Sequence, residues 1–348
     1  MSPMTPEAPL RLALDAEALV HNWRALDELS GLARAGAAVK ANAYGVGAAR
    51  VAPILADAGC RDFYVAYASE AEALDGIINP TSLCVLHGPL SDEEASHIRW
   101  RRFVPTVNSL EQARRWIEAG GGACDLMIDT GINRLGLSMG EIGDEIVGKL
   151  EVRTLMSHLA SADEDSPMNA QQRARWIEAR AHISANEYSL ANSAGIALGS
   201  GYHGTVTRPG LSLYGGVPRA ELSGVIRQVV RPQAMIMQVR DIGAGETVGY
   251  NATFTAPAAM RIGVVALGYA DGYLRCWSGK GMMRSDCGAA LRVLGRVSMD
   301  MTVINLSSAP DLKEGDWVTA DYDLPAAAQE TGLSQYELLT LTSQRFQR

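Results

Sequence analysis

Between residues 15 and 230, short apolar runs alternate with amphipathic stretches, and this alternation narrows the possible folds more than any other feature of the chain. The segments Ala16–Leu32, Ala48–Ala58, Ser69–Ile77, Asp92–Trp100, Ser109–Ala119 and Asn169–Ala185 carry helical periodicity. Between them lie the strand-like runs Ala37–Lys40, Phe63–Ala66, Ser82–Leu86, Arg102–Pro105, Leu126–Asp129 and Val152–Ser157. Strands separated by helices make βα units and a parallel sheet. Each strand-like run is short and apolar, as a sheet covered on both faces requires. About eight such units fit before residue 230, which predicts a (β/α)8 TIM-type barrel over residues 15–230, with a doubly wound open sheet as the competing arrangement.

The pattern changes near Val230. The runs Ala234–Ile242, Arg261–Leu267, Ala290–Val293, Asp300–Leu306 and Trp317–Thr319 are β-rich and separated by Gly- and Pro-containing turns, with one helical stretch near Gln335–Leu341. Residues 231–348 therefore read as a mainly β C-terminal domain, with residues 1–14 supplying a strand to it. The glycine-rich Gly243–Gly249 precedes no helix pattern and lacks dinucleotide-loop spacing, so it reads as a turn between strands.

Composition excludes several functions. The 348 residues carry a net charge of −8, which disfavours nucleic acid as the main partner. No apolar run reaches the ~18 residues that span a bilayer, and the first ten residues lack a signal peptide's basic and apolar regions. The five cysteines, at 60, 84, 124, 276 and 287, are scattered and form no C-x-x-C pair, so neither a disulfide framework nor a zinc site is expected. The acidic Asp163–Asp165 reads as a solvated loop, and no metal is assigned. A cytoplasmic enzyme is the expectation.

The strongest chemical signal is Lys40, which follows an apolar strand and opens the Gly-containing turn Lys40-Ala-Asn-Ala-Tyr44-Gly45. Catalytic groups of a barrel gather at strand C-terminal ends. A lysine desolvated there has a lowered pKa and a nucleophilic amine, suited to bonding an aldehyde cofactor. Further clusters stand at expected strand ends: Met127-Ile-Asp-Thr-Gly-Ile-Asn-Arg134, Met156-Ser-His158, Ala191-Asn-Ser193 and Thr207-Arg208-Pro-Gly210-Leu-Ser-Leu-Tyr214. The C-terminal part adds Val248-Gly-Tyr250, Gly268-Tyr269 and Gly295-Arg-Val-Ser-Met299-Asp300. In this order and spacing, from about Leu10 to about Leu306, the sequence resembles the alanine racemases, which use pyridoxal phosphate (PLP) and join a barrel to a C-terminal β domain.

The resemblance implies roles residue by residue. Lys40 matches the lysine that carries PLP and acts as one catalytic base. Tyr250 matches the second base, which acts in the active site of the partner subunit of a homodimer. Tyr44, Ser193, Gly210 and Tyr214 match the phosphate end of the cofactor site, Arg208 the arginine at the pyridine nitrogen, and His158 the histidine beside the ring. Arg134, Met299 and Tyr269 match substrate-binding positions. A phenol with a pKa of about 10 needs nearby positive charge to act as a base, and a His158–Arg208 pair is the expected source of that field.

The chain also departs from the family pattern. Met127 stands where many members have a lysine that can be carbamylated to position the arginine matched by Arg134. Val46 replaces a frequent histidine, and Gln344 stands where some members have a tyrosine near the phosphate. The reading is reversible conversion of L- and D-alanine, supplying peptidoglycan or serving D-alanine breakdown. A broad-specificity or serine racemase of the same fold and a non-catalytic PLP-carrier barrel are the alternatives. A PLP decarboxylase would share the plan but not the arginine at the ring nitrogen.

Overall fold

A computed structural model describes residues 8–342 and 345–347. The chain divides into two compact units, Ala16–Arg227 and the segment ending at Asp15 together with Gln228–Arg348.

In the first unit the strands β2 (Arg34–Ala35), β3 (Ala37–Ala38), β4 (Phe63–Val65), β5 (Leu83–Val85), β6 (Val104–Val107), β7 (Ala123–Met127), β8 (Glu151–Met156), β9 (Glu187–Ser189) and β10 (Val206–Thr207) alternate with helices; β1 (Leu10–Leu14) belongs to the other unit. Strands β3 to β9 form one parallel sheet in sequence order, and β10 pairs in parallel with β2. Residues 34–38 act as one strand interrupted at Gly36. On one side the Ala37 and Val39 N–H groups donate to Asp62 O and Tyr64 O at 2.8 and 2.9 Å. On the other, the Gly36 and Ala38 N–H groups donate to Thr207 O and Pro209 O, both at 2.9 Å. Thr205 and Arg208 N–H groups then donate to Tyr188 O and Ala191 O, which ties β10 to β9 and closes the barrel.

The helices Ala16–Ser30, Ala48–Ala58, Asp92–Arg101, Leu110–Glu118 and Pro167–His182 lie where the periodicity predicts. Ser91 and Ser109 cap the third and fourth by accepting the N–H groups of Glu94 and Gln112, both at 3.1 Å. Several boundaries differ, three of them as follows. The expected helix Ser69–Ile77 is regular only over Ala68–Glu72 and continues as turns. The expected strand Arg102–Pro105 is Val104–Val107, because Arg102 is the left-handed C-cap of the preceding helix at φ 63°. The expected strand Leu126–Asp129 is Ala123–Met127, because the Asp129 N–H turns back to bond Leu137 O.

The barrel strands are also less apolar than expected. Arg153 on β8 donates to both carboxylate oxygens of Asp125 on β7, at 2.8 and 2.7 Å, and Asp125 is fully buried. Arg34 on β2 pairs with Asp62 and Glu187, each at 2.7 Å. Arg34, Asp62 and Glu187 lie at or just before the starts of their strands, whereas Asp125 and Arg153 lie midway along β7 and β8.

The second unit is mainly β, as expected. Its antiparallel sheet contains β1, β11 (Val230–Ile242), β14 (Met260–Val265), β15 (Met282–Arg284), β16 (Ala290–Leu294), β17 (Thr302–Asn305) and β18 (Trp317–Ala320); β12 (Thr247–Val248) and β13 (Phe254–Thr255) make a small ladder, so the segment Gly243–Gly249 is a turn only as far as Glu246 and then enters β12. β11 is the spine: its start pairs with β1 and β18, its end with β14. Alternate residues Val230, Pro232, Ala234 and Ile236 are buried, the period-2 signature of a sheet with one face on the core. Beside the expected helix at Gln335–Thr340 there is a second, Leu324–Thr331, capped by Asp323. Among the described residues no helix is long and apolar enough to cross a membrane.

The Arg153–Asp125 pair yields a stability prediction. Asp125→Asn takes the two-oxygen partner from Arg153 and leaves it Asp62 at 4.0 Å; breaking a buried pair costs about 3–5 kcal/mol, which is the upper bound here. Urea unfolding of Asp125→Asn should show a midpoint well below wild type, and an unchanged midpoint would refute the pairing.

Candidate active site

Lys40 follows β3 directly. Ala41, Asn42, Ala43 and Tyr44 then all adopt positive φ, between 52° and 55°. A left-handed turn without glycine costs roughly 1–2 kcal/mol per residue, so surrounding groups must hold it. One oxygen of the Glu70 carboxylate accepts the Ala41 N–H at 2.7 Å and the other accepts the Ala66 N–H at 2.6 Å. At the far end Asn42 Oδ1 accepts the Ala48 N–H at 2.8 Å. The turn leaves Lys40 half-buried and Tyr44 buried. Withdrawal from water lowers the Lys40 pKa, Arg134 and Arg208 lower it further, and Glu70 opposes them. A larger fraction of neutral, nucleophilic amine results.

The barrel seam sets this turn against residues 208–214. A side chain at Gly210 would place its Cβ 2.2 Å from the Tyr44 hydroxyl oxygen, so only glycine lets the hydroxyl approach. Ser193 Oγ accepts the N–H groups of Gly210 and Ser212 at 3.0 and 3.2 Å, which leaves its own O–H to donate. Ser212 Oγ is buried and has no hydrogen-bond partner among the described residues. Three hydroxyls, from Tyr44, Ser193 and Ser212, thus gather around Gly210, with one buried oxygen unsatisfied. Such a donor set suits a phosphate group. Tyr214 stands behind it: its hydroxyl donates to Ala38 O at 2.8 Å and its ring centroid is 5.1 Å from that of Tyr44. Tyr214 therefore supports Tyr44, and its own hydroxyl is spent on the backbone.

Arg208 is a buried cation with no carboxylate at ion-pair distance among the described residues. Its guanidinium donates to Ser189 Oγ and, at 2.5 Å, to Ser157 O. Burial lowers its pKa, yet a guanidinium stays charged at neutral pH. His158 follows β8 on the same rim. Withdrawal from water, reinforced by Arg208, Arg134 and Lys40, pushes its pKa down to about 3. This corrects the expectation that His158 helps supply positive charge: the imidazole is neutral at pH 7, and Arg208 alone of that pair is a cation.

Arg134 lies on the loop after β7. Asp129 shapes that loop by accepting the N–H groups of Gly131, Asn133 and Arg134 at 2.7, 3.1 and 3.0 Å. The Arg134 side chain is exposed and has no ion-pair partner among the described residues. Met127 is buried at the end of β7, where its carbonyl accepts the Leu137 N–H at 2.9 Å. Val46 is buried beside the lysine turn.

The remaining candidates belong to the second unit. Tyr250 sits on a short turn and is 68 % exposed; Met299 is 54 % exposed. Tyr269 donates its N–H to Ser298 O at 3.0 Å, and the Ala270 N–H donates to Met299 O at 2.9 Å, so Tyr269 and Met299 share one loop pair. Gly268 permits this contact, since a Cβ there would lie 2.3 Å from Met299 O. The guanidinium of Arg275 lies 5.1 Å from the centre of the Tyr269 ring. Gln344 lies outside the described residues.

Sequence reasoning missed Glu70, Asn42 and His87. His87 stands edge-on to Tyr67, with ring centroids 4.5 Å apart. Burial and then Lys40 lower its pKa, which marks it as a neighbour of the lysine. Glu70 carried a readable signal, an acid in the first turn of a helix following a barrel strand, but its second contact crosses to another strand end.

Comparisons with known proteins agree with this architecture. Residues 14–218 match the family model "Alanine racemase, N-terminal domain", and residues 229–348 match "Alanine racemase, C-terminal domain". An alanine racemase of Methylobacterium nodulans is 38% identical, over 97% of this chain and 95% of that protein. A biosynthetic alanine racemase of Agrobacterium fabrum is 35% identical, over 98% and 94%. The crystal structure of alanine racemase from Bartonella henselae, which has covalently bound pyridoxal phosphate, superposes with a TM-score of 0.87 at 31% identity, over 99% of both chains. Family models covering both parts of the chain and relatives matched almost end to end lead to one assignment: the chain belongs to the alanine racemase family.

Proposed function

We propose that this protein interconverts L- and D-alanine with PLP carried on Lys40. The observation that carries the reading is the grouping on one barrel rim of a half-buried lysine of lowered pKa, a cradle of hydroxyls around Gly210, and a buried arginine with no carboxylate ion pair among the described residues. When bound, the cofactor makes the Cα proton of an attached amino acid acidic. Everything else falls to the protein.

In this reading Tyr44, Ser193, Ser212 and the backbone around Gly210 hold the phosphate. Arg208 would sit at the pyridine nitrogen of the bound cofactor and lend charge without a proton, which would restrain the ring as an electron sink and disfavour side reactions. Neutral His158 would lie beside the ring. Arg134 binds the substrate carboxylate, with no carbamylated lysine at position 127 to brace it. Lys40 holds or releases the proton on one face of Cα. Tyr250 of the partner subunit does so on the other, and Met299 of the partner subunit meets the carboxylate. The exposure of Tyr250, Met299 and Met301 on the second unit supports a homodimer, since exposed large apolar residues on neighbouring loops favour an interface. Five free cysteines support a reducing cytoplasm. The role assigned is supply of D-alanine for peptidoglycan, with D-alanine breakdown as the alternative use.

Proton NMR in D2O with chiral analysis tests the reaction. PLP-loaded protein given L-alanine should lose the Cα–H signal and yield D-alanine, faster than it acts on L-serine or L-lysine. A bound chromophore without exchange would favour the non-catalytic carrier. Tyr250→Phe should lose about 10²–10⁴-fold in turnover, the usual contribution of a positioned acid–base group, while retaining PLP; wild-type turnover would remove Tyr250 from the mechanism. Gly210→Ala, which pushes a Cβ into the Tyr44 hydroxyl, should weaken PLP binding by about tenfold or more, equivalent to ~1.4 kcal/mol. An unchanged Kd would place the phosphate elsewhere.

A further inference from the structure

The left-handed turn after Lys40 has no glycine to ease it, yet it sets the direction of both Lys40 and Tyr44. Its first amide is not held by a neighbour in sequence. The acceptor is Glu70, 29 residues on, at the start of the helix Ala68–Glu72. Glu70 is the third residue of that helix, and one of its oxygens reaches back to the Ala66 N–H just past β4. The other oxygen crosses to the Ala41 N–H and joins the ends of adjacent strands β3 and β4 through one side chain. Because the Ala41 amide is the first peptide group after Lys40, releasing it frees the backbone torsions that aim the lysine.

Resting on the reading of Lys40 as cofactor anchor and base, we propose that Glu70 is the positioning residue of Lys40, clamping the left-handed turn so that the amine points into the site. Glu70 touches the lysine's backbone amide plane, not the substrate, so its effect passes through Lys40. It is also the negative charge among the groups that face the lysine. Arg134 on the β7 loop and Arg208 after β10 oppose it, and His87 after β5 and His158 after β8 complete the surround. Removing the charge while keeping the side-chain shape therefore affects both aim and basicity.

The test compares PLP-loaded wild type, Glu70→Gln and Glu70→Asp. Three measurements are made: deuterium uptake of the peptide covering residues 39–47, the pH midpoint of the cofactor absorbance, and kcat and KM for alanine. Glu70→Gln keeps one acceptor and no charge; uptake should accelerate at least ~3-fold, as local opening becomes easier. The midpoint should move to lower pH by about 0.5 or more, because a lost anion favours the neutral nitrogen of Lys40. The kcat should fall about tenfold or more with KM within ~3-fold, the mark of a group that aims a base and does not bind substrate. Glu70→Asp keeps the charge but is too short for both amides; it should restore the midpoint and leave uptake fast. Unchanged uptake and midpoint in Glu70→Gln would overturn the proposal, whatever the thermal stability. If Glu70→Gln does not fold, Glu70→Asp decides it by the uptake measurement. Borohydride trapping of cofactor on a lysine other than Lys40 would instead defeat the functional reading, and peptide uptake would still judge the clamp.

Discussion

The site depends on the hydrogen-bonded seam that closes the barrel. Residues 34–39 are bonded on one side to the segment at Asp62–Tyr64 and on the other to Thr205–Pro209. That double bonding places Lys40 next to Arg208 and Gly210, which are about 170 positions away in the chain. Tyr214 adds a side-chain tie across the same seam through Ala38 O. Without closure, the lysine turn and the hydroxyl cradle would sit on opposite edges of an open sheet, and neither would define a pocket.

Charge on the rim is arranged with the same economy. Arg208 is buried and donates to neutral oxygens, Arg134 stands exposed, and His158 is driven to its neutral form. The barrel gives carboxylate partners to its other arginines, Arg34 with Asp62 and Glu187, and Arg153 with Asp125. Among the described residues Arg208 has no such ion pair and feels Asp125 only at longer range.

Most of the architecture was legible in the sequence because period and length separate helices from strands where segments are long. The elements that were misplaced have different causes. Arg102 adopts the left-handed cap that glycine usually signals, held by local bonds to Arg99 O and Ile98 O. Ala41–Tyr44 adopt a left-handed turn with no glycine at all, held at its start by the distant Glu70. The charged barrel interior was hidden because its partners, such as Arg34 and Glu187, lie 153 positions apart. At the site, Lys40 was readable from its strand and turn, whereas the other candidates came from resemblance. Glu70 and Asn42 stayed out of view because their work is done on backbone amides, which leave no pattern in the side-chain alphabet.

The ion pairs between barrel strands have a consequence for how the unit forms. Asp62 precedes β4, Asp125 is on β7, Arg153 on β8, and Glu187 on β9, while Arg34 comes from β2 at the far side of the closure. A partial barrel that lacks β2 leaves Asp62 and Glu187 without the guanidinium that joins them, and one that lacks β9 leaves Arg34 with Asp62 alone, so each forgoes an ion pair that the closed barrel makes. Assembly intermediates made of half the strands are therefore disfavoured, and the barrel gains or loses its structure as one cooperative body.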